Sequence, residues 1–253
     1  MQTIMKSPSG SYTGTCVDKI NTFYGIPYAQ SCANINRWQK PKELQENYNH
    51  SESVKGPSAY QTVVNKSFMF DSSLPNSSED CLNLNIASPK DASNLPVMIW
   101  IHGGAYLTGS AHGALYQMET LASRGVVLVT INYRLGPLGF LKLDEITNGK
   151  IPSTGNEGLL DQRLAIKWVK KNIEAFGGNP ENITIFGESA GSWSCALQVG
   201  MGIKGDFQKV ICQSGGGDAA RSIETANQWG ELFIAKCHDK NIQLDDLINA
   251  TPE

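Results

Sequence analysis

The stretch Ile183-Thr-Ile-Phe186, followed directly by Gly187-Glu-Ser-Ala-Gly191, decides the fold that the sequence predicts. The first four residues form a short apolar run, which is typical of a strand covered on both faces. A helix is predicted from Ala190 onward. If the turn between them is sharp, a side chain at either glycine would collide with the neighbouring strand or helix. The pattern therefore predicts a strained turn that lifts Ser189 to the carboxyl edge of a sheet.

Three further apolar runs, at residues 97–101, 126–131 and 210–212, predict more strands of the same sheet. A helix is predicted over 158–174, where apolar residues recur at helical spacing and lysines occupy the other side. Since strands and helices alternate, we predict an α/β fold, with a mostly parallel central sheet and helices on both faces. No repeat or low-complexity linker divides residues 1–253, so all of them are assigned to one domain.

The part of the chain before these runs has a different character. Residues 10–30 alternate in a way that suits a hairpin of short strands, and residues 81–86 predict a half-buried strand. Residues 31–79 are polar and rich in Asn and Ser, which predicts a long and mostly irregular excursion.

The composition is that of a globular protein and excludes several function classes. Forty per cent of the residues are hydrophobic and 18% are charged, which excludes a disordered chain and a coiled coil. The formal net charge of −3 argues against a nucleic-acid partner. No run of apolar residues is long enough to predict a membrane span, so no membrane partner is expected. No apolar signal segment follows Met1, and we therefore expect a cytoplasmic protein.

The cysteines are expected to be free thiols. The sequence has 6 of them, and they form neither a CxxC pair nor a Cys/His cluster with zinc spacing, so no metal and no cofactor is predicted. Reducing compartments keep thiols free. Cys195 and Cys212 lie in apolar stretches and are expected to be small core residues.

A second glycine-rich stretch, His102-Gly-Gly-Ala-Tyr106, follows the predicted strand 97–101 directly. Small residues let backbone N–H groups approach a substrate oxygen, as in the oxyanion-hole loop of lipases and esterases. Residues 187–191 likewise fit a nucleophile elbow. Each stretch has a simpler alternative, namely an ordinary strand–helix turn with a capping serine and a tight turn with a structural histidine. His102 itself is expected to be structural, because the N–H groups do the work of such a loop.

Seven stretches, in order along the chain, resemble the type B carboxylesterase/cholinesterase family of α/β-hydrolases. They are Phe23-Tyr-Gly-Ile-Pro-Tyr-Ala29, Ser78-Glu-Asp-Cys-Leu-Asn-Leu-Asn85, Ile101-His-Gly-Gly-Ala105, Asn132-Tyr-Arg-Leu-Gly136, Gly155-Asn-Glu-Gly-Leu-Leu-Asp-Gln162, Phe176-Gly-Gly-Asn-Pro180 and Phe186-Gly-Glu-Ser-Ala-Gly-Ser192. The ensemble covers most of the chain and is highly specific. Without a visible signal segment, the chain is more similar to bacterial intracellular members than to secreted animal enzymes.

The resemblance implies a carboxylic ester hydrolase that acts on small-molecule esters without a cofactor. It makes Ser189 the nucleophile that becomes acylated. Gly104, Ala105 and Ala190 would supply the N–H groups of the oxyanion hole, and alanine at 105 replaces the more usual third glycine without removing its N–H. Ser214 matches a serine that the family places near the catalytic histidine.

The resemblance also implies structural roles for charged residues. Glu79 and Asp80 belong to a segment that anchors an ion pair in the family, and Arg37 is the expected partner. Glu188, next to the nucleophile, is expected to point away from the site and to be structural.

Two departures from the family pattern concern the region before the first long strand. The resemblance implies a disulfide between the cysteine matching Cys81 and one near residue 57, but this chain has Ser58-Ala59 there, so that bond cannot form. The Pro/Gly-rich segment expected after Ala29 is replaced by Gln30-Ser-Cys-Ala-Asn-Ile-Asn36.

The catalytic histidine and acid of the family have no counterpart in this sequence. In α/β-hydrolases the order along the chain is Ser, then Asp or Glu, then His. His238 is the only histidine after Ser189, and it lies at the end of a predicted helix, which is typical of a charged helix terminus. We therefore expect that residues 1–253 form the N-terminal part of an α/β-hydrolase domain that is truncated at the C-terminus. The expected partner is the missing C-terminal half of that domain.

The sequence leaves two alternatives to an esterase open. One is a catalytically inert fragment of the same ancestry. The other is a non-catalytic, cholinesterase-like binding module, although such proteins usually lose the nucleophile that this chain keeps as Ser189.

Overall fold

The computed structural model describes residues 1–45, 47–61, 76–113, 115–202 and 205–250. The strands are β1 (Gln2–Ser7), β2 (Gly10–Val17), β3 (Ile20–Pro27), β4 (Tyr48–His50), β5 (Asn83–Pro89), β6 (Leu95–Ile101), β7 (Val127–Ile131), β8 (Gly178–Glu188) and β9 (Lys209–Gln213). The α-helices are α1 (Met118–Ala122), α2 (Gly136–Phe140), α3 (Glu157–Asn172), α4 (Ala190–Gly200), α5 (Ile223–Asp239) and α6 (Leu244–Asn249). Across the described ranges, none of these helices combines the length and apolarity that a bilayer crossing requires.

Within the described residues, the strands form one mixed sheet in the order β1-β2-β3-β5-β7-β6-β8-β9, and β4 pairs with β2. Along this path the pairs from β1 to β7 are antiparallel, whereas β7, β6, β8 and β9 are parallel neighbours. The predicted α/β class is confirmed, with the parallel strands forming one half of the sheet. Because β6 and β8 are adjacent and parallel, the loops that follow them meet at the same edge.

The sheet is covered on both of its faces in the region of β7. Side chains alternate between faces along a strand. Val129 belongs to the large buried cluster that contains Ala165 of α3. Its neighbour Leu128 belongs to a second cluster with Met118 of α1. The helices therefore lie on opposite faces of the sheet, as predicted for an α/β fold.

The predicted local elements are mostly present. β2 and β3 form the antiparallel hairpin expected over 10–30. α3 corresponds to the helix predicted over 158–174. Its first residue, Glu157, accepts hydrogen bonds from the N–H groups of Thr154 (2.8 Å) and Gly155 (3.0 Å), and these bonds fix the start of the helix. β5, predicted to be half-buried, is buried along nearly its whole length.

The irregular excursion expected over 31–79 is described only in part. Residues 62–75 lie outside the described residues. Elsewhere the segment contains the short strand β4, a single turn of 3-10 helix at Asn34–Asn36 and otherwise little regular structure.

β9 differs from its prediction as a strand covered on both faces. It lies at the end of the described sheet and most of its residues are exposed. Ile211 is 43% exposed. The expectation that Cys212 is a core residue is therefore wrong, whereas Cys195 is buried in the core as expected.

Candidate active site

Ser189 lies on the sharp turn between β8 and α4. Its backbone has φ 55° and ψ −121°, a conformation that an L-residue rarely adopts and that costs on the order of 1–3 kcal/mol. The Ser189 N–H donates to the carbonyl of Gln213 (2.9 Å), and the Trp193 N–H donates to the carbonyl of Ser189 (3.0 Å). These bonds hold the turn from both sides, and Ser189 is partly exposed at the carboxyl edge of the sheet.

The two glycines around Ser189 are required by the close approach of other backbone atoms. A Cβ on Gly191 would lie 2.0 Å from the carbonyl oxygen of Ile101 in β6. A Cβ on Gly187 would lie 2.5 Å from the backbone carbon of Gly191 and 2.7 Å from the Ile101 oxygen. The predicted collisions with both the neighbouring strand and the helix are therefore confirmed.

The loop after β6 runs directly against this turn. A Cβ on Gly103 would lie 2.7 Å from the carbonyl oxygen of Glu188 and 3.3 Å from Cβ of Ser189. Gly104 has φ 110°, and a Cβ there would lie 2.2 Å from the carbonyl oxygen of Thr108. Ala105 also has a positive φ, 56°. The small residues of this loop thus allow it to approach Ser189 closely.

Backbone donors are left unsatisfied in the two turns that meet at Ser189. The carbonyl of Gly104 accepts from the N–H groups of Leu107 (2.9 Å) and Thr108 (3.0 Å). Among the residues that the structure describes, the N–H groups of Gly104, Ala105 and Ala190 donate no hydrogen bond. Ala190 is also the first residue of α4, and the N-terminal end of a helix carries positive potential. Free donors in such positions are what an oxyanion hole requires.

His102 is held as a structural residue. Its Nδ1 lies 2.8 Å from the carbonyl oxygen of Gly103, so this nitrogen carries the proton. The ring stacks on Tyr133 with a centroid distance of 4.4 Å, and the Tyr133 hydroxyl donates to the carbonyl of His102 (2.7 Å). Burial lowers the pKa of His102 to about 4, so the ring is neutral at pH 7.

The other histidines also lie away from the nucleophile. His112 is buried in a network of amides, with Nε2 3.1 Å from Oδ1 of Asn83 and Nδ1 3.1 Å from Nδ2 of Asn85. His50 contacts the carbonyl of Tyr24, and His238 is exposed near the end of α5. All 4 histidines of the sequence are described, and none of them forms a hydrogen bond with Ser189.

Ser214 lies in the turn after β9, next to the turn that holds the nucleophile. It has φ 55° and is exposed. A Cβ on the following Gly215 would lie 3.0 Å from the carbonyl oxygen of Ser189, and Ser192 Oγ donates to the Gly215 carbonyl (2.8 Å). The structure thus brings Ser214 to the neighbourhood of Ser189, and its role there stays a prediction.

Glu188 differs from the expectation that it points away. It is exposed, and its Oε2 lies 3.1 Å from the position that a Cβ on Gly103 would take. The carboxylate therefore lies against the loop after β6, on the side where the two turns meet.

Two buried ion pairs hold the segments around the site. Arg37 binds Glu79 through two hydrogen bonds, of 2.5 Å from Nε and 2.8 Å from NH2, which confirms the predicted pair. Arg134 binds Asp161 in the same manner, with 2.8 Å from Nε and 2.7 Å from NH2. The second pair joins the loop after β7 to α3. This pair was not predicted from the sequence, although both residues lie within stretches that carry the family resemblance.

The chain also matches a known family over nearly its whole length. The model of the "Carboxylesterase family" matches residues 2–241. The chain belongs to the carboxylesterase family. The resemblance noted in the sequence is thereby confirmed.

Relatives and solved structures agree with this carboxylesterase assignment. The para-nitrobenzyl esterase of Bacillus subtilis (strain 168) is 40% identical over 261 residues, which cover 99% of this chain and 51% of that protein. The bile salt-activated lipase of Bos taurus is 45% identical over 234 residues, 87% of this chain and 36% of that protein. The structure of a thermophilic pNB esterase superposes with a TM-score of 0.89 at 37% identity, covering 100% of this chain and 52% of that chain. The juvenile hormone esterase of Manduca sexta gives a TM-score of 0.88 at 28% identity, covering 99% and 49%.

These matches confirm the α/β-hydrolase fold. They also show that this carboxylesterase chain spans between about a third and a half of the length of the relatives reported above.

Proposed function

We propose that this carboxylesterase chain supplies the nucleophile and the oxyanion hole of a serine esterase that hydrolyses small-molecule carboxylic esters. The observation that carries the proposal is the strained turn at Ser189, with φ 55°, placed against the loop at Gly103. Strain of this kind persists only where the surrounding structure enforces it, and it is the backbone conformation of a nucleophile elbow.

The residues act in a definite order in the proposed reaction. The Ser189 hydroxyl oxygen attacks the ester carbonyl carbon, and its proton passes to a base. The carbonyl oxygen becomes an oxyanion in the tetrahedral intermediate, where the N–H groups of Gly104, Ala105 and Ala190 donate to it. The intermediate expels the alcohol, which takes up the proton, and leaves an acyl group on Ser189. Water then hydrolyses this acyl-serine and restores the hydroxyl.

The base and the triad acid are assigned to a second half of the family fold, outside the 253 residues. That half is either the continuation of a longer chain or a separate polypeptide. The relatives, about twice as long, support this assignment. So does β9, whose outer edge has no strand partner among the described residues. Ser214, in the turn after β9, is the residue proposed to contact the incoming histidine.

The cytoplasm is the proposed location. All 6 cysteines are described, and each is a free thiol in the structure. This state is the usual one in a reducing compartment.

A fluorophosphonate probe tests whether Ser189 is the nucleophile. The probe phosphonylates an activated serine, and the modified peptide is identified by mass spectrometry. We expect the adduct on Ser189 and its loss in Ser189→Ala. Ser123→Ala, which removes an exposed hydroxyl in the turn after α1, is the matched control and should label like the unchanged chain.

The rates of labelling and of ester turnover show how much activity this chain has without the second half. Removal of a triad histidine costs roughly 10⁴- to 10⁶-fold in turnover, so labelling should be slow and ester turnover very low. A folded chain without any adduct on Ser189 would support the inert fragment or the binding module and overturn the proposal.

A further inference from the structure

Two buried cysteines from distant parts of the sequence meet in the structure. Cys32 is 4% exposed and Cys81 is 1% exposed. Both side chains line one small cavity. The Cys32 thiol also lies 2.8 Å from the carbonyl oxygen of Glu79, two residues before Cys81. The fold thus brings both cysteines to the same buried place.

The surroundings of this thiol pair connect it to the two departures noted in the sequence. Cys32 belongs to the segment 30–36, which replaces the expected Pro/Gly-rich stretch. Ala59, at the place where the expected cysteine is missing, lines the same small cavity as Cys32 and Cys81. The cavity therefore lacks a cysteine at residue 59 but has one at residue 32.

Other cysteines have no comparable arrangement. All of them lie within the described ranges, and Cys32 and Cys81 are the two that line the cavity described above. Cys195 is buried, but the nearby Cys212 instead has its Sγ 3.7 Å from the carbonyl oxygen of Ser192. Cys237 is buried in a separate place near the end of α5.

We propose that Cys32 and Cys81 are an oxidisable pair that closes to a disulfide when the protein meets a hydroperoxide. The hydroperoxide transfers one oxygen atom to the sulfur of Cys32, the more exposed thiol, which becomes a sulfenic acid while the hydroperoxide is reduced to water or an alcohol. The sulfur of Cys81 then attacks the Cys32 sulfur and displaces the hydroxyl group, which leaves as water with the Cys81 proton. The two thiols together lose two electrons and two protons.

The environment of Cys81 makes this oxidation slow. Its contact with the Cys32 thiol, together with burial, raises the pKa of Cys81 well above its ordinary value. The thiolate is the reactive form. Oxidation of the folded chain should therefore be slower than that of an exposed cysteine.

The disulfide would reinforce one of the two buried ion pairs. It would join the segment that carries Arg37 to the segment that carries Glu79. Arg37 also donates to the carbonyl oxygens of Leu247 and Ala250 at 2.6 Å each, so the same junction holds α6. Closing the long loop between residues 32 and 81 should raise the melting temperature by roughly 10 °C.

The test is performed on the 253-residue chain in a Cys212→Ser background, which removes an exposed thiol that would otherwise react first. The protein is treated with hydrogen peroxide, digested without reductant and analysed by mass spectrometry, and its melting temperature is measured before and after treatment. We expect a linked peptide that contains Cys32 and Cys81, together with a rise in melting temperature that dithiothreitol reverses.

Matched variants separate a specific bond from general oxidation. Adding Cys237→Ser, another buried cysteine, should leave the linked peptide and the rise unchanged. Cys32→Ser should abolish both, and Cys81→Ser provides the same test from the other side if one variant folds poorly. The proposal is overturned if the oxidised Cys212→Ser chain carries Cys32 and Cys81 unlinked, as thiols or as separate oxidised residues.

Discussion

The carbonyl oxygen of Ile101 lies so close to Gly191 that the space between β6 and α4 admits hydrogen but no methyl group. The same oxygen limits Gly187. These two contacts, and not a preference of the serine itself, hold the backbone of Ser189 in its strained conformation. The glycine spacing in the sequence was enough to predict this, because the collision follows from a turn of known geometry.

The first prediction compares two glycines of the same helix. Gly191→Ala places a methyl group 2.0 Å from the Ile101 oxygen, and we expect the free energy of unfolding to fall by roughly 2–4 kcal/mol. Gly200→Ala meets no atom within 4 Å and should change stability by less than about 1 kcal/mol, in the stabilising direction. Urea denaturation measures both, and equal effects of the two substitutions would contradict the close packing at the turn.

The second prediction concerns the buried neutral histidines. Burial lowers the pKa of both His102 and His112 to about 4 from the ordinary 6.5. Between these values the unfolded state binds more protons than the folded one. Stability is therefore complete above about pH 6.5 and is lost as the pH falls toward 4, by on the order of 2–3 kcal/mol for each histidine.

The physical reason is that neither ring has an acceptor for a second proton. Nε2 of His102 is buried without a partner among the described residues, and Nδ1 of His112 faces the amide nitrogen of Asn85. The free energy of unfolding is measured by chemical denaturation at several pH values between 4 and 7. It should depend less steeply on pH in His102→Asn or His112→Asn than in the unchanged chain. The exposed His238→Gln is the control, and a similar flattening there would refute the assignment.

Among the helices and strands, local sequence patterns predicted those that depend mainly on the nearby sequence. α3 and the β8–α4 unit follow from hydrophobic periodicity and glycine punctuation. The strand β9 was also predicted, but its exposure was not, because an apolar run has the same sequence whether or not another element covers it. The network around His112 could not be predicted either, since it forms only where residues 83 and 85 of β5 meet residue 132 in the loop after β7.

The third prediction concerns the ion pair that joins the loop after β7 to α3. Asp161→Asn leaves the Arg134 guanidinium buried beside a neutral amide, and we expect a loss of about 3–5 kcal/mol in the free energy of unfolding. Glu181→Gln breaks the ion pair with Lys170, in which Glu181 is mostly exposed, and should cost less than about 1 kcal/mol. Chemical denaturation compares the two, and a small effect of Asp161→Asn would show that the buried pair does not hold this loop.

In the whole molecule, the sheet ends in β9, whose outer edge has no strand partner within the described residues. Unpaired parallel strands with exposed apolar side chains are prone to pair with other chains. The sequence predicted a missing second half only through the absence of a catalytic histidine and acid. The acyl and alcohol preferences could not be predicted, because the sequence carries no pattern that fixes the shape of a substrate pocket.

The fourth prediction tests the exposed edge. Ile211→Lys places a charge on β9, and we expect it to reduce self-association of the chain in sedimentation velocity experiments. Ile35→Lys is the control, because Ile35 is even more exposed, at 77%, but lies in a 3-10 helix outside the sheet. If both substitutions change self-association equally, total surface charge and not the strand edge is responsible.

Trapping the acyl-serine tests most directly whether Ser189 is the nucleophile. The chain is incubated with an activated acetate ester such as p-nitrophenyl acetate, quenched in acid and mapped by mass spectrometry. We expect a single acetyl group on Ser189 that accumulates, because deacylation lacks its base, and that is absent from Ser189→Ala. Acetylation confined to surface lysines, or unchanged by Ser189→Ala, would contradict it.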